Sequence, residues 1–267
     1  MLIKQHNLAN PWGDFNQLAR EFDLLFSAPV KAPSEDFPKV NIWADRNSSV
    51  LTAELPGIDP KKLEITCKEN TITIKGQRQL PELSKDQRYL RNERSQGSFQ
   101  RSFALPFKVD EDKINAEYTN GILSVSLPQK EKRQAKKNSN LNYSRSRIMD
   151  TPTLTHKRPV IRPLTDVIEN EANILVTADM PGVDDKSLEV QIEGQILSIH
   201  GKNSFAPPSK TALSWTEFCP ADYECNYTLG DKIDTEKIEA KVKNGVLHLN
   251  LPKIQAPKPR RIKVKVG

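Results

Sequence analysis

What is scarce in this sequence rules out several kinds of protein at once. No run approaches the about 20 consecutive apolar residues that a membrane-spanning helix needs, and 36% of the 267 residues are hydrophobic against 28% charged. The opening MLIKQHNLANPWGDF has neither the apolar centre nor the small-residue cleavage site of a secretory leader, which makes a soluble, cytoplasmic protein the expectation. Cysteine is limited to Cys67, Cys219 and Cys225, an odd number without CxxC spacing. Free thiols in a reducing compartment fit that pattern, and a disulfide framework or zinc site does not. Histidine is limited to His6, His156, His200 and His248. His200 and His248 stand on strand patterns opposite Lys75 and Ser124 of a repeat described below, so they do not belong to a duplicated site. Gly194-Gln-Ile-Leu-Ser-Ile-His-Gly201-Lys202 has six residues between its glycines and Asn203 after the lysine. A phosphate loop needs four, followed by Ser or Thr. No nucleophile, base and orienting group can be assembled, so the expectation is a protein that is not an enzyme and carries no cofactor and no metal.

The net charge of +6 is unevenly placed. Residues 129–162 hold ten Lys or Arg against Glu131 and Asp150, and residues 253–267 hold six with no acid, which leaves the rest of the chain near −8. A nucleic-acid reader carries its basic stripe on a folded face among exposed aromatics. Here the basic residues fall in a connector and a tail, so no specific nucleic-acid partner is expected.

What is abundant is repetition. Residues 51–77 align with 176–202 at a constant offset of 125: Pro56-Gly57 on Pro181-Gly182, Leu63 on Leu188, Ile65 on Val190, Ile72 on Leu197, Ile74 on Ile199, Gly76 on Gly201. Residues 114–128 align with 238–252 at 124. A period this long is a duplicated domain, since solenoid repeats run to about 20 to 50 residues. Within the first copy apolar residues alternate (Leu63, Ile65, Cys67; Ile72, Ile74; Phe99, Phe103, Leu105; Leu123, Val125, Leu127), which is strand periodicity. Asn120-Gly121 and Asn244-Gly245 supply the positive φ angles of type I′ hairpins. Short strands separated by turn signals predict two antiparallel sandwiches, over about 38–128 and 159–253.

Outside the copies, residues 129–158 are polar, basic and poor in core-forming residues, and a disordered linker is expected. In residues 1–37, Trp12, Phe15, Leu18, Phe22, Leu25 and Phe26 recur every three or four positions, an amphipathic helix capped near Asn10-Pro11. Its polar side mixes Asp14, Arg20, Glu21 and Asp23, unlike the basic face of a membrane-surface helix, so no membrane partner is expected. Its apolar side packs on the chain's own sandwich or captures other proteins, and sequence alone allows both.

The first copy resembles the small heat-shock proteins with an alpha-crystallin domain. It carries Ala53-Glu54-Leu55-Pro56-Gly57, Glu93-Arg94, Gly97, Phe99, Arg101, Phe103, Leu105-Pro106, Ala116, Asn120-Gly121-Ile122-Leu123 and Leu127-Pro128. Asn10-Pro11-Trp12 and Phe22-Asp23-Leu24-Leu25-Phe26 are similar to the bacterial branch. The resemblance implies an all-β fold of two immunoglobulin-like antiparallel β-sandwiches, which dimerise by exchanging a strand from the long loop, here residues 77–97, with Arg101 at the dimer interface.

It also implies that the tail, residues 254–267, docks through Ile262-Lys263-Val264 into a groove on a neighbouring domain. The groove residues would be Leu63, Ile65, Cys67, Ile114, Ala116 and Tyr118, or in the second copy Leu188, Val190, Ile192, Ile238, Ala240 and Val242. An extended tail can set Ile262 and Val264 on one side and Lys263 toward solvent. The second copy departs from the pattern: Tyr223, Cys225, Tyr227 and Gly230 stand where Phe99, Arg101, Phe103 and Pro106 stand in the first, and no ER-x-x-G element is recognisable. How that copy pairs is left open.

The function implied is an ATP-independent holdase. Trp12, Phe15, Phe22 and Phe26 would bind partly unfolded client proteins, and the chain would assemble with itself. The alternative is a co-chaperone-like adaptor for one defined protein partner. Nucleic-acid packaging through the basic segments ranks behind both.

Overall fold

The alternating sequence patterns form strands wherever they occur in residues 37–79, 83–130 and 158–254, the residues that the structure, a computed structural model, describes. The expected N-terminal helix with Trp12, Phe15, Phe22 and Phe26, nearly all of the expected linker, and the tail with Ile262 and Val264 lie outside these residues. The first copy contributes β1 (Val40–Ala44), β2 (Ser48–Glu54), β3 (Glu64–Lys68), β4 (Thr71–Arg78), β5 (Arg88–Asn92), β6 (Gly97–Ala104), β7 (Asn115–Thr119) and β8 (Ile122–Pro128). The second contributes β9 (Val160–Ile161), β10 (Thr165–Glu169), β11 (Asn173–Asp179), β12 (Leu188–Glu193), β13 (Ile196–Gly201), β14 (Ala212–Thr216), β15 (Asp222–Thr228), β16 (Glu239–Lys243) and β17 (Val246–Pro252).

Each copy is a two-sheet sandwich whose inward-facing residues form its own core. In the first, Leu51, Ala53, Ile72, Ile74, Phe99, Phe103, Val125 and Leu127 are buried together. In the second, Val176, Ala178, Leu197, Ile199, Tyr223, Leu249 and Leu251 are buried at the matching places, with Tyr227 packed against them where Phe103 stands in the first. The Asn-Gly hairpins form as the sequence predicts, with φ of 49° and 78° at Asn120 and Gly121 and 51° and 67° at Asn244 and Gly245. Both residues of a type I′ turn need positive φ, which asparagine and glycine tolerate best.

The sheet order shows how the copies pair. The larger sheet of the first copy runs β14-β1-β2-β8-β7, and that of the second runs β16-β17-β11-β10-β5. Strand β14, from the long loop of the second copy, thus completes a sheet of the first, and β5 completes a sheet of the second. The smaller sheets, β3-β4-β6 and β12-β13-β15-β9, stay within their copies. The two exchanges match in register: Asn41 faces Thr216 and Ala44 faces Ala212, while Asp166 faces Asn92 and Glu169 faces Arg88. Each has its irregularity at the same place, between Ile42 and Trp43 or between Val167 and Ile168. The pairing mode left open for the second copy is therefore the exchange itself, made reciprocally inside one chain.

The exchange is driven by backbone more than by apolar side chains. An edge strand presents a row of unpaired N–H and C=O groups, and β5 and β14 cap the edges of β10 and β1. Alternate residues of β5 are exposed, as are four of the five residues of β14. The exception is Trp215, which packs against the first copy's core. We predict that Trp215→Ala costs about 2 kcal/mol, less than full burial of the side chain would imply. Hydrogen exchange should speed up at β1 and leave β10 unchanged. Equal changes at both strands, or none, would contradict the pairing.

Candidate functional site

Where the two copies meet, one geometry is built twice with different residues. Just after β5, the Glu93 and Arg94 N–H groups donate to Asp166 Oδ1 at 3.0 and 3.1 Å, and the Glu93 carboxylate accepts from Thr165 N–H. Just after β14, the Glu217 and Phe218 N–H groups donate to Asn41 Oδ1 at 3.0 and 3.2 Å, and Glu217 accepts from Val40 N–H. Glu217 therefore occupies the place of Glu93, Phe218 that of Arg94, and Asn41 that of Asp166. The element that seemed missing from the second copy keeps its glutamate and replaces its arginine. The asparagine follows physically. An amide oxygen accepts the same two N–H groups without leaving a buried charge where no arginine is present to balance it.

The side chains beside these clasps carry the asymmetry further. Arg78 and Arg94 both bind Asp179, at 2.9 and 2.8 Å, and Arg94 lies 3.6 Å from Asp166. Exposure is 11% or less for all four side chains, so this is a buried cluster of two cations and two anions. Arg78 also donates to the carbonyls of Ser95 and Pro56.

In the mirror position Asn203 replaces Arg78 and donates to Pro181 O at 3.1 Å, as Arg78 does to Pro56. Glu54 replaces Asp179, and among the described residues no ion pair reaches it. Burial, opposed by Lys39 and reinforced by the Asp179 carboxylate, pushes the Glu54 carboxyl up to about 7.

Arg101 shows the opposite bias. It donates to Glu217 Oε1 at 2.7 Å and to Pro38 O, so its carboxylate partner belongs to the other copy. Trp215 Nε1 donates to the same Glu217 oxygen. Cys225 stands in the mirror position of Arg101 and is buried, and burial raises its thiol. Glu93 is left with Arg91 of its own loop at 3.6 Å.

Around these groups the hairpins touch back to back. Gly57 N–H donates to Asn244 O, and Gly182 N–H to Asn120 O. A Cβ on Gly121 would lie 2.7 Å from Asn244 O, and one on Gly245 2.3 Å from Asn120 O. Glycine is required there by close approach as well as by φ.

The expected groove residues lie on the outer edges of the sandwiches, away from this interface. Strands β3 and β7 end different sheets of the first copy, as β12 and β16 do in the second. Leu63, Ile65, Cys67, Ile114 and Tyr118 are half-buried against the first core, and Leu188, Val190, Ile238 and Val242 against the second. Ala116, Ala240 and Ile192 are exposed. Each sandwich thus presents an apolar strip between two edges that no strand pairs among the described residues. Burial raises the Cys67 thiol, which keeps it an unreactive apolar filler. Among the described residues no cluster of His, Cys, Asp or Glu could hold a metal ion. The surfaces provide strand edges and apolar strips, features to which an extended polypeptide can add itself as a strand.

Sequence reading missed Asp166, Asp179, Glu217, Asn41, Arg78 and Glu54. The repeat held the signal for some of them, because Glu54 aligns with Asp179 and Asn41 with Asp166 at the offset of 125.

These mirror positions should respond oppositely to loss of charge. The folded value of Glu54 lies above the ordinary 4.5 of a carboxyl, so the folded state binds more protons between pH 4.5 and about 7. Stability falls as pH rises through that window, and the loss is complete above it. Glu54→Gln should flatten this slope and raise stability at pH 8 by up to about 3 kcal/mol. Asp179→Asn should cost about 3 to 5 kcal/mol by leaving two buried arginines with Asp166 as their one carboxylate. Thermal unfolding across pH checks both, and equal losses for the two variants would contradict the asymmetry.

Comparison with known proteins identifies the family of both copies. The Hsp20/alpha crystallin family matches the chain twice, over residues 41–142 and 166–265. Small heat shock protein C2 of Rickettsia felis is 34% identical over 138 residues, which are 51% of this chain and 86% of that protein. Small heat shock protein C4 of the same organism is 37% identical over 124 residues, 46% of this chain and 73% of that protein. A solved small heat-shock protein from Xylella fastidiosa shares 37% identity and covers 39% of this chain and 96% of its own, with a TM-score of 0.34. Such relatives match about half of a chain that holds the domain twice. With both copies matched, the chain belongs to the Hsp20/alpha crystallin family, as a tandem two-domain small heat shock protein.

Proposed function

We propose that this chain is a holdase that binds partly unfolded proteins in the cytoplasm and keeps them from aggregating. Its family acts without ATP and is not enzymatic. The observation that carries the reading is the pair of apolar strips at unpaired strand edges, β3 with β7 and β12 with β16. They offer extended polypeptide both backbone partners and side-chain pockets. Trp12, Phe15, Phe22 and Phe26 would add adaptable aromatic surface for clients. In this reading residues 38–128 and 159–253 are the two folded domains, joined by the basic segment 129–158.

Ile262 and Val264 would dock in one of the strips of another chain and build larger assemblies. One tail and two strips per chain leave half of the strips open to clients.

The purified protein should suppress thermal aggregation of several unrelated clients near equimolar ratio, equally with and without ATP. Failure on all of them, or protection of one client alone, would overturn the reading and favour a dedicated adaptor. Ile262→Gly with Val264→Gly should shift the solution mass toward single chains without changing strand content, since full docking of the two side chains is worth about 3 to 6 kcal/mol. An unchanged mass would remove the docking role.

A further inference from the structure

The charges at the interface are divided so unevenly between the copies that they specify which domain pairs with which. On the first domain, Arg78 and Arg94 reach across to the partner, Asn41 receives from it, and Glu54 stands at the position that Asp179 holds in the second. On the second, Asp166 and Asp179 receive and Phe218 reaches across to Asn41, while Asn203, at the position of Arg78, turns back on its own domain to Pro181 and Phe205. In the observed pairing one half of the interface sets two arginines against two aspartates, and the other sets Phe218 against Asn41, with Asn203 and the single Glu54 at the positions of Arg78 and Asp179.

Two copies of the second domain paired in the same geometry would set Asp166 and Asp179 against Asn203 and Phe218 on both sides. Four carboxylates would be buried without a cation. Two copies of the first domain would set Arg78 and Arg94 against Asn41 and Glu54 on both sides, four arginines to two carboxylates. Of the three pairings, only the mixed one balances its most buried charges.

Two further contacts point the same way. Arg101, on the first domain, finds Glu217 of the second, whereas a second domain facing itself would bring Cys225 to that place. Trp215 of the second domain's loop packs on the first domain's core, where the first domain's own loop carries Arg91 in the matching register.

We infer that the second domain is a heterotypic pairing module: it accepts a domain bearing arginines at the positions of Arg78 and Arg94, which its own first domain supplies, and excludes a copy of itself. Like charges brought together suppress wrong partners strongly. The duplication thereby produces a chain that closes on itself, with its loops committed to its own other half.

The test uses the full chain with a specific protease site placed within residues 131–157. After cleavage, the halves are unfolded, refolded together and weighed by native mass spectrometry. Pairs of first with second domain should exceed pairs of second with second by about a hundredfold or more. Comparable amounts of the two would overturn the inference.

Asn203→Arg with Phe218→Arg, made in the same cleavable chain, should allow second-domain pairs to form by giving Asp166 and Asp179 their cations. Asp166→Asn with Asp179→Asn should allow them by removing the repulsion, while weakening the mixed pair. If the mixed pair still forms in these variants, showing that the halves fold, and neither variant yields second-domain pairs, charge is not what selects the partner and the inference fails.

Discussion

Everything distinctive about this protein depends on two unpaired sheet edges. Strand β1 of the first domain and β10 of the second each expose backbone donors and acceptors that must be covered, and each is covered by a loop strand of the other domain. The exchange brings the hairpins into contact at Gly121 and Gly245 and encloses the polar groups at the loop ends. Once those groups are enclosed, their charges must be balanced, and Arg78, Arg94, Asp166 and Asp179 become a problem of burial rather than of surface decoration. The apolar strips lie on the opposite edges, so pairing leaves them free.

Placing both halves of a paired unit in one chain changes what each half must satisfy. In a symmetric dimer every interface residue is present twice, so a charge lost from one loop is lost from both. Here the mirror positions are separate residues. Asp166 has Asn41 as its counterpart, Arg94 has Phe218 and Arg78 has Asn203, and the backbone clasp is the same on both sides. In that half Glu217 keeps its charge against Arg101, whereas Glu54 has no ion pair among the described residues and burial pushes its carboxyl up to about 7. The second domain departs from the first at these positions and also at Cys225, which stands opposite Arg101. It keeps the strand register and the sandwich, and it gives up the charges that a self-pairing domain would need.

Much of the fold was legible in the sequence, because the signals that define it are local. Alternation in Ile72, Ile74, Leu197 and Ile199 reports which face is buried, and Asn-Gly reports the turn. Exchange of a strand from residues 77–97 was implied only by the resemblance and not by periodicity, because β5 and β14 are held mainly by backbone bonds that leave little side-chain pattern: RYLRN and ALSWT share no obvious apolar stripe. Arg101 meets a carboxylate of the other copy, Glu217. That partner could not be named, because the offset between copies changes from 125 to 124 within the loop and hides the match of Glu217 to Glu93. Of the site residues expected from the sequence, the groove positions lie along open strand edges as groups, while the client-binding aromatics and the tail lie outside the described residues.

The most direct test of the account asks whether β14 reaches β1 of its own chain. Ala44 and Ala212 face each other across that strand pair, within the range at which cysteines at opposed positions can form a disulfide. With Cys67, Cys219 and Cys225 replaced by alanine, Ala44→Cys with Ala212→Cys should oxidise to a single-chain species. It should run at monomer mass under denaturing conditions and stay so when the chain is diluted before oxidation. Disulfide-linked dimers as the main product would contradict the account, because they would place the exchanged strands in different chains.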